Sequence, residues 1–478
     1  MGQLVLFFAL QLLGSWACLA VGPKDVGLAT AMGFLTGLAV SVFLSLPLLL
    51  LGSFTVPMVV GVLTVALSAS VWLAVRRGRV TSRTVLQLLA WAAAFTALCV
   101  PFCVWNFATL TYDSRVFVEY AEALRDDHEL RLETLSYLHS WGSLQIVAHA
   151  LSLLTGDPFL YALAPAFSIS LGATFAVTLY RGLGELDVPQ RRRALAIALV
   201  LAAMLAVPLV RLHVVYVHAN WAAAGYLFVF ATLFWLADLK NDAAYLPAAF
   251  LALLAFSFSR VESPMFTAVF LVLALSQTRL TRAAVFGPYV AFTVVLVSWL
   301  VLLTAVVPDD SEYLTPTRGV LMVVAMVGIF AAFLVRETAI VKRLLPLVPP
   351  IVAVLCVVAV GILSVTHLDT FQTSFGIWQH DLWLGKFWGY FQWPLFAVLT
   401  VLSFWAPTPP FSRPLRYGIA LFFVLVVLLT TLGDAYGSSR YGSLTRVTLH
   451  IVPLIWFYFA LVFVPTRSRA NRLDVVGR

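Results

Sequence analysis

Charged side chains are scarce in this 478-residue chain, so the few that gather in sequence are the natural candidates for chemistry. Asp113 stands in Thr111-Tyr112-Asp113-Ser114-Arg115, directly after an apolar run. A carboxylate placed there can act as general base toward a hydroxyl, worth about 10²- to 10⁴-fold when it lies within hydrogen-bond reach. Its structural alternative is a capping carboxylate paired with Arg115. Asp126 and Asp127 form a rival acid pair within Arg125-Asp126-Asp127-His128-Glu129-Leu130-Arg131, a mixture of charges that also suits a solvated turn. His139, at a helix start, can position a substrate or simply cap the helix.

Cations capable of holding an anion come from three places. Arg260 and Glu262 stand in Ser259-Arg260-Val261-Glu262-Ser263-Pro264, a hairpin turn where they form either a structural ion pair or an anion site. Arg440 and Arg446 lie among small residues (Gly437, Ser438, Ser439, Gly442, Ser443), which suits a loop wrapping an anionic head group; anchoring at the membrane surface is the alternative. Arginine fits an anion site because its planar fork bonds two oxygens at once and keeps its charge. Arg211, His213 and His218, and then Asp369, His380, Asp381 and Lys386, are further candidates to line the same cavity. The aromatic run from Trp378 to Trp393 reads as an interfacial belt sooner than as a sugar platform. No Gly-rich phosphate loop, metal-ligand spacing or nucleophile elbow is present, so no cofactor is expected and nothing in the spacing calls for a divalent cation. The four cysteines (Cys18, Cys99, Cys103, Cys356) all fall in apolar runs and imply no disulfide framework.

The elements that must position these residues cross a membrane. Hydrophobic residues make up 62% of the chain and charged residues 11%, far below the share of about 25% that covers a soluble surface. Apolar runs fall at 4–19, 27–51, 56–75, 85–105, 160–180, 194–210, 221–237, 243–258, 264–275, 284–307, 319–335, 344–365, 390–405, 417–432 and 448–464. At about 20 residues per crossing this predicts an all-α polytopic bundle of about 13–15 spans. The run at 4–19 lacks a basic flank before it and is expected to stay as the first helix. The loops fall into two alternating sets, one holding 21 of the 30 basic residues and 7 of the 22 acids. That set, with the C-terminus, is expected in the cytoplasm, and the N-terminus outside. The net charge of +8 is thereby accounted for as a topogenic signal, and no nucleic-acid partner is implied.

The sequence therefore divides into N-terminal spans (1–105), a long outer loop (106–159) and the remaining bundle (160–478). The outer loop opens with Asp113, continues as an amphipathic stretch at 117–124, and ends in a moderately apolar segment at 143–155. Gln145 and His149 make that last segment a poor span and suggest a helix lying at the interface. All eight histidines fall on or near the outer side, so chemistry is expected there.

Three motifs now resemble the GT-C superfamily of membrane glycosyltransferases. They are Asp113-Ser114-Arg115-Val116-Phe117 with its close at Tyr137-Leu138-His139 and 150–158, Ser259-Arg260-Val261-Glu262-Ser263-Pro264, and Ser438-Ser439-Arg440-Tyr441 followed by Pro453. The resemblance implies an inverting glycosyltransferase that uses a polyprenyl-phosphate sugar and a glycan, lipid or protein acceptor. It implies the roles of base for Asp113, of lipid-phosphate ligands for Arg260, Arg440 and Arg446, and of substrate positioning for His139 and Glu262. Asp126 or Asp127 would be a second acid. A bacterial plasma membrane is the expected location. A lipid-linked glycan flippase, and a glycan polymerase or ligase, are the competing readings.

Overall fold

The computed structural model describes residues 2–105, 111–156, 162–307, 314–383, 388–432 and 443–465, and every regular element within them is a helix. The first spans are α1 (Gly2–Val21), the short α2 (Val26–Ala31), α3 (Gly33–Leu50), α4 (Val56–Arg76) and α5 (Ser82–Val104). Three shorter helices follow: α6 (Tyr112–Asp127), α7 (Leu132–Trp141) and α8 (Ser143–Leu153). The chain continues through α9 (Leu163–Glu185), α10 (Gln190–Ala206), α11 (Pro208–Val215), α12 (Ala219–Lys240), α13 (Leu246–Ser257) and α14 (Ser263–Gln277). Then come α15 (Arg282–Val306), α16 (Pro316–Leu334), α17 (Ala339–Leu344), α18 (Val348–Thr366) and α19 (Leu368–Trp383). The last four are α20 (Gln392–Ser403), α21 (Arg413–Leu432), α22 (Ser443–Val447) and α23 (Val452–Phe463).

Ten stretches are long and apolar enough to cross a bilayer, which makes this an all-helical polytopic membrane protein. The fifteen apolar runs of the sequence exceed that number for local reasons. α10 and α11 count as one crossing only if the 86° bend between them is allowed. Val207 is extended there (φ −76°, ψ 119°), because the proline at 208 lacks an N–H and disfavours helical backbone just before it. α13, α14 and α20 are shorter than a straight crossing requires. The single run at 27–51 is likewise broken at Met32, between α2 and α3. The carbonyls at the break find partners inside the bundle: Ala31 accepts from Ser170 (2.9 Å) and Thr174 (3.0 Å), and Thr30 from Gln11 (2.7 Å). No water is needed, as a bilayer interior demands.

α12 is the hub. Its sequence is apolar all round, and such a helix is stable only when covered on every side; α9, α13 and α23 pack around it. α4, α16 and α18 instead expose residues such as Val65, Val324 and Val354 to lipid. α1 and α3 touch through glycines. A Cβ at Gly14 would collide with the Gly33 carbonyl, and one at Gly37 with that of Leu10, so the small residues at 33 and 37 serve helix packing.

The two sets of loops gather at opposite ends. At the basic end, Arg77 reaches Ala20 O (2.7 Å), Lys240 pairs with Glu185 (2.8 Å), Arg336 reaches Thr278 O (2.6 Å) and Gln277 reaches Leu345 O (2.9 Å). At the other end α6, α7 and α8 form a layer across the bundle. α6 begins beside residues 216–218 and ends where His128 Nδ1 meets Phe54 O (3.0 Å). Phe117, Ala121 and Leu124 face inward from α6, while Arg115, Glu119 and Asp126 face out. α8 departs from expectation: all eleven of its residues are buried, so it is an interior helix and not one resting on lipid. Gln145 and His149 contact each other (3.3 Å) instead of water. The aromatic run divides as well. Trp378, Trp388 and Trp393 are buried, and Trp383, Tyr390 and Phe391 are exposed, so only part of it can form a belt.

Candidate functional site

Asp113 occupies the first turn of α6, and the cap belongs to Thr111, which closes a reciprocal capping box with Ser114. That box does more than start a helix. Ser114 Oγ donates to Val217 O (3.0 Å) and Thr111 Oγ1 lies 2.8 Å from the Tyr216 hydroxyl, so the mouth of α6 is seated on the loop leading into α12. Asp113 is thereby fixed against a rigid hub.

Its ion-pair partner is Arg446, not Arg115. Arg446 Nη1 donates directly to Asp113 Oδ2. The Tyr216 hydroxyl stands 3.4 Å from the same oxygen and His218 Nε2 3.8 Å from it. Arg446 Nη1 also lies 3.3 Å from His218 Nε2 and 3.5 Å from the Tyr216 oxygen, so one guanidinium nitrogen adjoins the carboxylate and both rings. All contacts of Asp113 with described residues fall on Oδ2. Arg446 Nε is buried and has no hydrogen-bond partner among the described residues. The helix that carries Arg446 is pinned from α19, where buried Asp381 accepts from Thr445 Oγ1 (2.9 Å).

His218 is fixed from behind. Its Nδ1 accepts from the Asn220 main-chain N–H (3.3 Å) and lies 2.9 Å from Asn220 Nδ2. A main-chain N–H can only donate, so Asn220 favours Nδ1 as the acceptor, and the ring proton then belongs on Nε2 once the Arg446 guanidinium, a donor only, leaves that nitrogen. Burial above all, then the Arg446 and Arg260 guanidiniums and the neighbouring His213 and His450, hold His218 well below its ordinary value, so the ring is uncharged. Burial also raises the Tyr216 phenol, which stays protonated. Asn220 Oδ1 in turn contacts His450 Nε2 (3.0 Å).

Arg260 and Glu262 form a buried ion pair (3.0 Å) in the turn between α13 and α14. Gly142, at φ +112°, lets that turn come close: a Cβ there would collide with the Ser259 carbonyl. Arg260 lies within electrostatic reach of His218, the ring that adjoins Asp113 and Arg446.

Other candidates lie elsewhere. Asp126 and Asp127 stand at the far end of α6, about 20 Å from Asp113 at the helical rise per residue. They pair with Arg125 (2.7 Å) and Arg131 (3.2 Å), which is the arrangement of a solvated turn. Arg211 is exposed, while His213 packs edge-on to Tyr216 with ring centroids 5.3 Å apart. His139 lies in α7 with its side chain outside the described residues, and Arg440 and Lys386 fall outside them altogether. Tyr216 and Asn220 escaped sequence reasoning. The available signal was the polar spacing His213, Tyr216, His218, Asn220 at the entrance to an otherwise apolar span. Among the described residues no three His, Cys, Asp or Glu side chains are grouped to hold a metal.

The site is thus one carboxylate, at least two guanidiniums, a neutral histidine donor and a phenol, assembled from four segments at one end of the bundle. Known protein families, curated proteins and solved structures were compared with the chain, and none matches.

Proposed function

We propose that the chain is an inverting glycosyltransferase that moves a sugar from a polyprenyl-phosphate donor to a hydroxyl-bearing acceptor. The observation that carries this reading is convergence: Asp113 and Arg446, 333 residues apart, are in direct contact at the end of the bundle opposite the basic loops, and Arg260 acts electrostatically on the adjoining His218. Asp113 takes the acceptor proton while the acceptor oxygen attacks the anomeric carbon. The bond from that carbon to the phosphate oxygen breaks with inversion, and its electron pair leaves with the polyprenyl phosphate. Arg446 and Arg260 stabilise the charge that grows on that phosphate, and such preorganised electrostatics can be the largest catalytic term. The Nε of Arg446, without a partner among the described residues, offers the phosphate an N–H. The basic end belongs in the cytoplasm by the distribution of Lys and Arg, which puts the site outside. A lipid-borne donor can reach that face, whereas a cytosolic nucleotide sugar cannot.

The test uses purified protein in nanodiscs with undecaprenyl-phosphate-linked sugars, following release of undecaprenyl phosphate. Asp113→Asn should lower turnover by about 10²- to 10⁴-fold with little change in donor KM. Asp126→Asn and Asp127→Asn should transfer normally. Arg446→Lys should impair transfer and Arg446→Ala impair it further, since lysine keeps the charge but loses the fork. An active Asp113→Asn variant overturns the assignment of the base. Movement of lipid across vesicles without sugar transfer would replace this reading with that of a flippase.

A further inference from the structure

We infer that His218 is a positioning residue for Asp113: locked as an Nε2–H donor by Asn220, it holds the carboxylate when Arg446 turns toward an anion. The inference rests on the proposed role of Asp113 as base, and it starts from a conflict in the observed geometry. Arg446 is assigned to the donor phosphate and yet contacts Asp113 Oδ2, so two anions claim one guanidinium. When it turns to the phosphate, its contact with Asp113 loosens.

Once it does, the carboxylate needs another restraint, and the nearest donors are already in place. Tyr216 OH and His218 Nε2 lie 3.4 and 3.8 Å from Oδ2, with Arg446 Nη1 adjoining all three groups. Both donors are uncharged. Exchanging the Arg446 contact for these donors keeps the carboxylate aimed. Of the two, His218 is the more firmly set. Its ring stacks on Tyr216 (centroids 5.2 Å apart, planes at 23°), meets the edge of Phe117 at 5.5 Å, and has its Nδ1 engaged by Asn220. The Asn220 amide is itself oriented, because its oxygen faces His450 Nε2. Tyr216 is shared with Thr111 and is free to donate to either.

Three variants separate this role from mere packing. Glutamine places an N–H near the position of Nε2, asparagine mimics only the Nδ1 side, and phenylalanine keeps the ring and loses both. With undecaprenyl-phosphate-linked sugar as the probe, His218→Phe and His218→Asn should lower kcat about 10- to 100-fold while donor KM stays within about twofold, the pattern of a lost transition-state restraint. His218→Gln should recover to within about threefold of wild type. In an Asp113→Asn background none of the three should lower residual activity further, because residues acting through one group are not additive. Infrared difference spectra against Asp113→Asn should show the Asp113 carboxylate band displaced in His218→Phe and restored in His218→Gln. Wild-type turnover in His218→Phe, glutamine no better than asparagine, or full additivity with Asp113→Asn would each overturn the inference. If Asp113→Asn is inactive and His218→Phe is not, only this inference falls; if Asp113→Asn is active, the base assignment falls and takes it along. Should His218→Phe fail to fold, the contrast between glutamine and asparagine decides.

Discussion

Arg446 and Asp113 answer to each other across 333 residues of sequence, yet each was conspicuous before the fold was known, because a lone charge in an apolar chain has few reasons to exist. Arg260 was legible for the same reason. Tyr216 and Asn220 were not, since an uncharged polar side chain at the mouth of a span carries no sign of its partner. Only the seating of α6 on the 216–218 loop brings Tyr216 to Thr111 and Asp113. His218 makes a pH prediction at this scale. Burial and two guanidiniums keep it neutral in the folded protein well below its ordinary value, whereas an unfolded histidine takes up a proton near about pH 6.5. Between those limits the unfolded state binds more protons, so stability is full above that pH and declines as it is lowered. The thermal inactivation midpoint in detergent should therefore fall between pH 7 and pH 5, and His218→Gln should fall less. Identical slopes would show that His218 bears no part of the acid sensitivity.

Elements differ in how plainly the sequence announces them. Long spans such as α4, α15 and α18 were legible because lipid asks only for length and apolarity. The breaks were not: an 86° turn at Val207 and an interruption at Met32 hide inside continuous apolar runs. α8 was misjudged because Gln145 and His149 looked destined for water, when both are buried and contact each other. The α1–α3 contact depends on small residues, with Gly14 of α1 set against Gly33 and Gly37 of α3. There an added methyl meets main-chain atoms that cannot move aside. Gly14→Ala and Gly37→Ala should each destabilise the protein by about 1–3 kcal/mol, the range for overpacking. Gly61→Ala and Gly287→Ala, where nothing lies within 4 Å of the new methyl, should leave the thermal midpoint unchanged or slightly higher. Equal tolerance at all four positions would mean that α1 and α3 do not touch as described.

The molecule as a whole is polarised, with arginine-rich turns at one end and the carboxylate, histidines and capping layer at the other. Cysteine labelling in intact cells tests which end faces the cytoplasm. In a background lacking the native cysteines, Glu129→Cys should react with an impermeant maleimide and Gln190→Cys should not; both positions are exposed, and they lie at opposite ends. The reverse pattern would place the site inside the cell. The reach from Asp113 to Arg446 has one more consequence, and it concerns time. A ribosome adds about 5–20 residues per second, so roughly 15–70 s pass between the emergence of the aspartate and that of its arginine. By the end of that interval the nascent chain holds nine of its ten long apolar spans, while Asp113 still lacks Arg446. A polypeptide released early would look nearly complete to the membrane and yet lack the Asp113–Arg446 pair. The pair therefore arrives all at once, with the last helix.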